Sequence, residues 1–174
     1  MKTLPLALAA LLWMADATRA QEMPEVPCGN LHFRIAGNEF VSTCRALELQ
    51  ETDARWRQES IFAQNATGVY LVLRAKPLSV RTYMKEISPR RAADAAGIRD
   101  IQDWGREMRL EGYRAHGFTG KLPTGVRLQC LAFARNATPT GGVQAQILGV
   151  YCTAPDSPMD EAAASQILQR IQAN

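Results

Sequence analysis

Alternation of apolar and polar residues in the last third of the chain predicts a pair of antiparallel strands. The pattern has a period of two over residues 126–135 and 143–153, and a stretch containing Pro and Gly between them predicts a turn. If Cys130 lies opposite Cys152, one apolar set of each strand meets on the same side of the sheet. The alternate residues of both strands, which point to the other side of the sheet, are apolar as well. We therefore expect a central hairpin that is covered on both faces.

Further stretches of the chain extend this strand pattern. Alternation over residues 31–35, followed by an Ala-Gly-Asn turn, predicts a hairpin whose returning strand covers residues 39–49. Residues 69–73 form an apolar run that is typical of a buried strand, and residues 113–119 predict another strand. Residues 53–64 fit either a short helix or a third strand, and the sequence leaves both open.

The middle of the chain favours helices over strands. Residues 79–87 predict one helix, and Ser88 followed by Pro89 is typical of a second helix start. Gly97 stands where that second helix would end, because glycine readily adopts the left-handed conformation found after helices. Apolar residues then recur at helical spacing, at Ile101, Trp104 and Met108.

The end of the chain predicts a helix that starts at Ser157 and Pro158. Acidic residues follow in the first turn, where they complement the helix dipole. An apolar stripe suited to packing on a sheet is formed by Ala164, Ile167, Leu168 and Ile171. Together these elements predict the α+β class, with an antiparallel β-sheet, a central helical segment and a C-terminal helix packed on the sheet.

The order of these elements, with strands, a central helix, a strand meander and a C-terminal helix, resembles the PsbP/Mog1-like arrangement. The resemblance covers most of the chain after its first twenty residues and concerns element order alone. It implies an accessory protein without a catalytic site, and it transfers no functional residue to this sequence.

The first residues of the chain predict export. Residues 1–20 combine a basic start, an apolar run of about twelve residues and small residues before Ala20, which is the pattern of a secretory signal peptide. The apolar run is shorter than the about twenty residues that a membrane span needs. Cleavage after Ala20 leaves a flexible lead-in over residues 21–27 and a single domain over residues 28–174. We therefore expect a periplasmic or extracellular bacterial protein without a transmembrane segment.

Export changes how the four cysteines are interpreted. An even number of cysteines in an exported domain predicts two disulfides, and four cysteines allow three connectivities. We favour Cys28–Cys44 with Cys130–Cys152, because each pair flanks a predicted hairpin. The alternative, Cys28–Cys152 with Cys44–Cys130, would tie the two ends of the chain together. No C-x-x-C motif is present, so the spacing favours neither a redox centre nor a zinc ribbon.

Charge is distributed unevenly along a chain that is almost neutral overall. The net charge of +3 argues against a general nucleic-acid binder. Residues 74–135 nevertheless carry a net charge of +7, whereas residues 21–73 carry −3 and residues 136–174 carry −2. A basic, arginine-rich segment can bind an anionic partner, although its charges could also simply pair with the acidic ends. The candidate binding residues are Arg81, Lys85, Arg90, Arg91, Arg99, Arg106, Arg109, Arg114 and His116.

Side chains suited to catalysis are scarce. His32 and His116 are the two histidines, whereas a catalytic zinc usually needs three protein ligands. A carboxylate could complete such a set, but no spacing indicates one, and the sequence predicts no metal site and no cofactor. There is no Gly-x-Ser-x-Gly motif, and oxidised cysteines cannot supply a thiolate nucleophile. Glu107 and Glu111 would share one face of a helix, but the arginines among them favour ion pairs over a catalytic carboxylate pair.

These observations favour a non-catalytic exported binding or accessory protein, a class that includes inhibitors and immunity proteins. It would recognise a protein or an anionic envelope component through residues 81–114. The alternatives are a small secreted hydrolase that uses His116 with nearby carboxylates, and a structural envelope protein. A deep cleft that holds His116 beside a carboxylate would favour the hydrolase.

The disulfide pairing is directly testable. Peptide mapping of the non-reduced protein should recover the Cys28–Cys44 and Cys130–Cys152 cross-links, each of which contributes about 3 kcal/mol in the chain-entropy model. Recovery of a peptide that joins Cys28 to Cys152 would contradict the pairing by neighbouring cysteines.

Overall fold

A computed structural model describes most of the chain after its first 22 residues. The described residues are 23–51, 54–79, 84–121, 125–138, 142–157 and 159–174. Within them the strands are β1 (Phe33–Ile35), β2 (Val41–Glu51), β3 (Ala54–Gln64), β4 (Gly68–Pro77), β5 (Arg99–Gln102), β6 (Met108–Leu110), β7 (Tyr113–Lys121), β8 (Arg127–Ala137), β9 (Ala145–Thr153) and β10 (Ile171–Ala173). The helices are α1 (Pro89–Ala95), α2 (Glu161–Gln169) and a 3₁₀ turn, Cys28–Asn30.

Eight of the strands form one antiparallel sheet with the order β2-β3-β4-β9-β8-β7-β5, and β6 also pairs with β7. The predicted central hairpin is confirmed, because β8 and β9 lie in the middle and Cys130 pairs directly with Cys152. The predicted parity is confirmed as well. Cys130 and Val150 belong to the core on one face, and Leu131 and Phe133 belong to the core on the other.

Different elements cover the two faces. Helix α2 and the small β1–β10 sheet cover one face, where Phe33, Tyr70 and Leu168 are buried. Helix α1 covers the β7–β8–β9 part of the other face, where Phe118 and Ala132 are buried. We call the second surface the α1 face.

The predicted α+β class is wrong, since the chain is mostly β-sheet and its helices are short. Helix α1 has seven residues and α2 has nine. The apolar residues at helical spacing lie instead in and beside β5 and β6. Ile101 and Trp104 pack on the α1 face, whereas Met108 packs in the core on the opposite face, so they do not form one helix stripe.

Three other local predictions change. Strand β1 pairs with β10, where Phe33 lies opposite Ala173, and does not form a hairpin with β2. In the described part of the predicted helix 79–87, Met84 forms an isolated bridge with Val143, and residues 85–87 belong to no helix or strand. Helix α2 starts after Asp160, whose carboxylate accepts the Ala163 N–H at 2.8 Å, and not at Ser157.

Other predictions hold. Residues 53–64, which fitted either a helix or a strand, contain β3, and residues 69–73 lie in β4. Ser88 precedes α1 with Pro89 at its first position, and Gly97 follows the helix with a φ of 65°.

Both predicted disulfides, Cys28–Cys44 and Cys130–Cys152, are present. They are compatible with an oxidising environment outside the cytoplasm. None of the helices in the described ranges has the length and apolar character of a bilayer span.

The N-terminal part of the chain lies partly on the sheet. The predicted signal peptide, residues 1–20, is outside the described residues. In the predicted lead-in, the Val26 N–H donates to the Cys44 carbonyl at 2.9 Å, and the Ala46 N–H donates to the Pro24 carbonyl at 3.2 Å. This segment therefore lies along the edge of β2, where the first disulfide also attaches it.

A buried carboxylate holds β1 to the sheet. Glu59 of β3 is fully buried and accepts hydrogen bonds from His32 Nδ1 at 2.6 Å, Arg57 Nε at 2.7 Å and Arg74 Nη1 at 3.0 Å. Burial alone would raise the pKa of this carboxyl. The hydrogen bonds from His32 and Arg57 and the charge of Arg74 outweigh that effect and hold the pKa below its usual value.

Replacement of this carboxylate should destabilise the fold strongly. Glu59→Gln should lower the free energy of unfolding by about 3 kcal/mol or more, because Arg57 and Arg74 lose the anion that compensates their burial. The lowered pKa stabilises the fold above the unfolded carboxyl pKa, and that stability is lost as the pH falls. Urea unfolding from about pH 6 to about pH 3 should therefore lose stability more steeply in the wild type than in the variant. Glu48→Gln, which alters an exposed carboxylate beside Arg57, should have little effect.

Candidate functional site

The basic middle segment is organised around α1. Ala92, Ala93 and Ala96 are buried against β7, β8 and β9, and these small side chains let the helix lie close to the sheet. Arg90 and Arg91 lie on the opposite, exposed side of the helix. A short helix with one small-residue face thus presents two adjacent arginines to solvent.

Two side-chain amides fix the segment that leads into α1. Asn136 accepts the Ile87 N–H at 3.3 Å and donates to the Ile87 carbonyl at 3.2 Å. Gln146, which is only 7% exposed, donates to the Lys85 carbonyl and to Asn136 Oδ1. We call Asn136 and Gln146 the amide latch. Because both residues lie on the central hairpin, the latch positions the start of α1 relative to the most buried strands.

An exposed arginine and a partly buried tryptophan form a platform beside α1. The Arg90 guanidinium carbon lies 5.0 Å from the Trp104 ring centroid. Trp104 in turn packs on Phe118 at 4.6 Å and meets the edge of His116 at 5.8 Å between centroids. A guanidinium stacked on a ring keeps its N–H edge available for a carboxylate or phosphate. We call this pair the Arg90–Trp104 platform.

Among the residues that the structure describes, neither Arg90 nor Arg91 has a carboxylate oxygen within 4.0 Å. Both side chains are exposed. The platform is therefore a cationic surface whose charge the described part of the fold does not neutralise by a direct ion pair.

A second group of charges lies next to the platform. Arg114 donates to Glu107 Oε2 through Nη2 at 2.8 Å and through Nε at 3.1 Å, and to Glu86 through Nη1 at 2.9 Å. Arg109 Nε and His116 Nε2 each lie 3.6 Å from a Glu107 oxygen. The hydrogen bonds from Arg114 hold the pKa of Glu107 below its usual value, so this carboxylate stays ionised.

His116 is held from both sides of its ring. Nδ1 lies 3.0 Å from the Gly105 carbonyl, which can only accept, and Nε2 faces Glu107. In the described part of the chain, no serine, threonine or cysteine is hydrogen-bonded to the ring. His116 thus has a carboxylate beside it, as the hydrolase alternative needs, but the described residues place no hydroxyl or thiol in hydrogen-bond contact with its ring.

An open groove of about 490 Å³ lies nearby and does not include His116. Its lining includes Gly117 and Met159 together with the carboxylates Asp103, Asp156 and Asp160. The described residues contain no group of three or more His, Cys, Asp or Glu side chains that could hold a metal ion. The arrangement is therefore a charged and aromatic surface beside a shallow acidic groove.

The predicted binding residues separate into groups. Arg90, Arg109, Arg114 and His116 come together on the α1 face, and Arg91 lies next to them on α1. Arg106 instead pairs with Glu161 at 2.7 Å beside the groove. Of the other predicted residues, Lys85 is in the segment before α1 and Arg99 is on β5, whereas Arg81 falls outside the described residues.

The sequence indicates neither Trp104 nor the amide latch as part of this surface. Trp104 stands among charged residues, and an aromatic residue in such a stretch is the one signal that was available. Glu107 was paired with Glu111 on a helix that does not form. Glu111 instead has a φ of 53° in the turn after β6 and accepts hydrogen bonds from Ser165 and Gln169.

Comparisons with protein-family models, curated proteins and solved structures found no match to this chain. The resemblance to the PsbP/Mog1-like arrangement therefore stays a prediction.

The amide latch should control the order of α1. Asn136→Ala leaves the N–H and carbonyl of Ile87 without side-chain partners and should cost about 1–3 kcal/mol of stability. Hydrogen exchange followed by mass spectrometry should show faster exchange over residues 84–97. Gln58→Ala, which removes an exposed amide from β3, serves as the control, and equal exchange over residues 84–97 in both variants would contradict this role.

Proposed function

We propose that this protein is an exported, non-catalytic binding protein that recognises an acidic protein partner through the α1 face. The Arg90–Trp104 platform carries the proposal. It combines an exposed guanidinium with an aromatic ring at 5.0 Å, and arginine and tryptophan are the residues most enriched among those that dominate binding energy in protein interfaces.

The mixture of charges favours a protein over a membrane or a polyanionic polymer. Glu86 and Glu107 lie among the arginines of the α1 face, so this surface alternates in sign and is not uniformly basic. These carboxylates would offset part of the attraction between the arginines and a uniformly anionic surface. A folded partner can place acidic groups opposite the arginines and basic groups opposite the glutamates.

The predicted export and the two disulfides support a partner in an oxidising compartment, such as the cell envelope. Inhibitors and immunity proteins act in this way, by covering a surface of another protein without catalysing a reaction. The alternative of a small hydrolase rests on His116 beside Glu107 and needs a nucleophile from a substrate, a water or another residue.

Capture of the partner should depend on the platform. Native pull-down from an envelope fraction should recover a stoichiometric protein with the wild type. Arg90→Glu or Trp104→Ala should weaken that interaction by about thirtyfold or more, because the loss of an interface anchor typically costs about 2 kcal/mol of binding free energy. Arg127→Glu is the matched control. It reverses the charge of an exposed arginine at the start of β8. Arg127 has the strand parity of the β8 residues that pack in the core opposite the α1 face, so capture should be unchanged.

Equal capture by the wild type and both platform variants would contradict the proposed binding surface. Turnover of a cell-wall polymer that is abolished by His116→Ala would instead support the hydrolase alternative.

A further inference from the structure

Two arginines face each other across β6 and β7. The register of these strands makes Arg109 the direct partner of Arg114. Both side chains lie on the α1 face, because Met108 and Ala115, the adjacent pair, are buried in the core on the opposite face. Like charges directly opposite on neighbouring strands destabilise a sheet unless something compensates them.

Glu107 supplies this compensation. Its carboxylate accepts two hydrogen bonds from Arg114, through one oxygen, and the other oxygen lies 3.6 Å from Arg109 Nε. His116 Nε2 faces the same carboxylate at 3.6 Å. Three nitrogen-bearing side chains from two strands thus converge on one carboxylate, and this convergence is the geometry of an anion-binding site.

We propose that Arg109 and Arg114 form an anion-binding site that the Glu107 carboxylate fills in the free protein, and that a carboxylate of the acidic partner replaces Glu107 on binding. The nature of this ligand rests on the proposed function, whereas the site itself rests on the register and the contacts above. The site adjoins the Arg90–Trp104 platform through the contact between His116 and Trp104. A partner could therefore place one acidic side chain at each.

The replacement is physically accessible. The Arg109 side chain is 82% exposed, and those of Arg114 and Glu107 are 36% and 28% exposed, so an incoming group can reach the donors. Glu107 precedes β6 and belongs to no strand, so its side chain can leave without breaking the ladder. Exchange of one carboxylate for another keeps the charge balance of the two arginines.

The shared chemistry of carboxylates and phosphates is tested with two probes, polyglutamate and inorganic phosphate. Glu107→Gln keeps the shape of the side chain and removes its charge, so binding of polyglutamate, measured by calorimetry at low salt, should become about tenfold tighter than in the wild type. Adding Arg114→Gln to this variant should abolish the gain. Glu39→Gln is the matched control, since it releases a single arginine, Arg170, elsewhere on the fold and should give no gain.

No gain in a Glu107→Gln protein whose thermal unfolding matches that of the wild type would overturn the inference. A gain that survives loss of Arg114 would overturn it as well, and a gain for inorganic phosphate alone would overturn the carboxylate assignment.

These results are separate from the envelope pull-down. If capture depends on Arg90 while Glu107→Gln gives no gain, the inference fails and the proposed function stands. If the gain is seen without Arg90-dependent capture, the site stands and the proposed function fails.

Discussion

The pairing of β8 with β9 is the interaction on which the rest of the fold depends. Both strands are buried on both faces, so either register parity would bury apolar side chains. The link between Cys130 and Cys152, which are direct partners across the two strands, selects one register. Strand β4 pairs with β9 and β7 pairs with β8, so the position of each half of the sheet depends on this central pair.

The two faces of that hairpin receive different kinds of cover, and the difference separates stability from recognition. On one face, α2, β1 and β10 close over a core that includes the fully buried Glu59 carboxylate and its three cationic or hydrogen-bonding partners. On the other face a seven-residue helix is held by side-chain amides and exposes arginines beside an aromatic ring. A buried charged group thus stabilises the first face, whereas the second face exposes Arg90 and Arg91 to solvent.

The net charge of residues 74–135 overstates how many of their arginines are available to a partner. Its net excess of +7 includes residues that the fold pairs internally, such as Arg106 with Glu161 and Arg114 with Glu86 and Glu107. The proposed recognition therefore depends on a few positions and not on bulk charge. Arg90 stacks on Trp104, while Arg109 and Arg114 share one carboxylate of their own chain. These arrangements join residues that lie up to 14 positions apart through strand register and ring packing, which a charge count does not record.

The sequence by itself determined the central hairpin, both disulfide pairs, the buried β4 run and the start and end of α1. The strands depend on alternation and the ends of α1 on local Ser-Pro and Gly preferences, which act within a few residues, whereas each disulfide joins cysteines that are successive in the sequence, 16 and 22 residues apart. The tertiary structure decided the rest. Ile101, Trp104 and Met108 have helical spacing but lie on opposite sides of a sheet, because pairing with β7 outweighs local propensity. Strand β1 pairs with the distant β10, which only long-range packing can bring to it. Glu107 lies between two arginines because the register of β6 and β7 places Arg109 opposite Arg114.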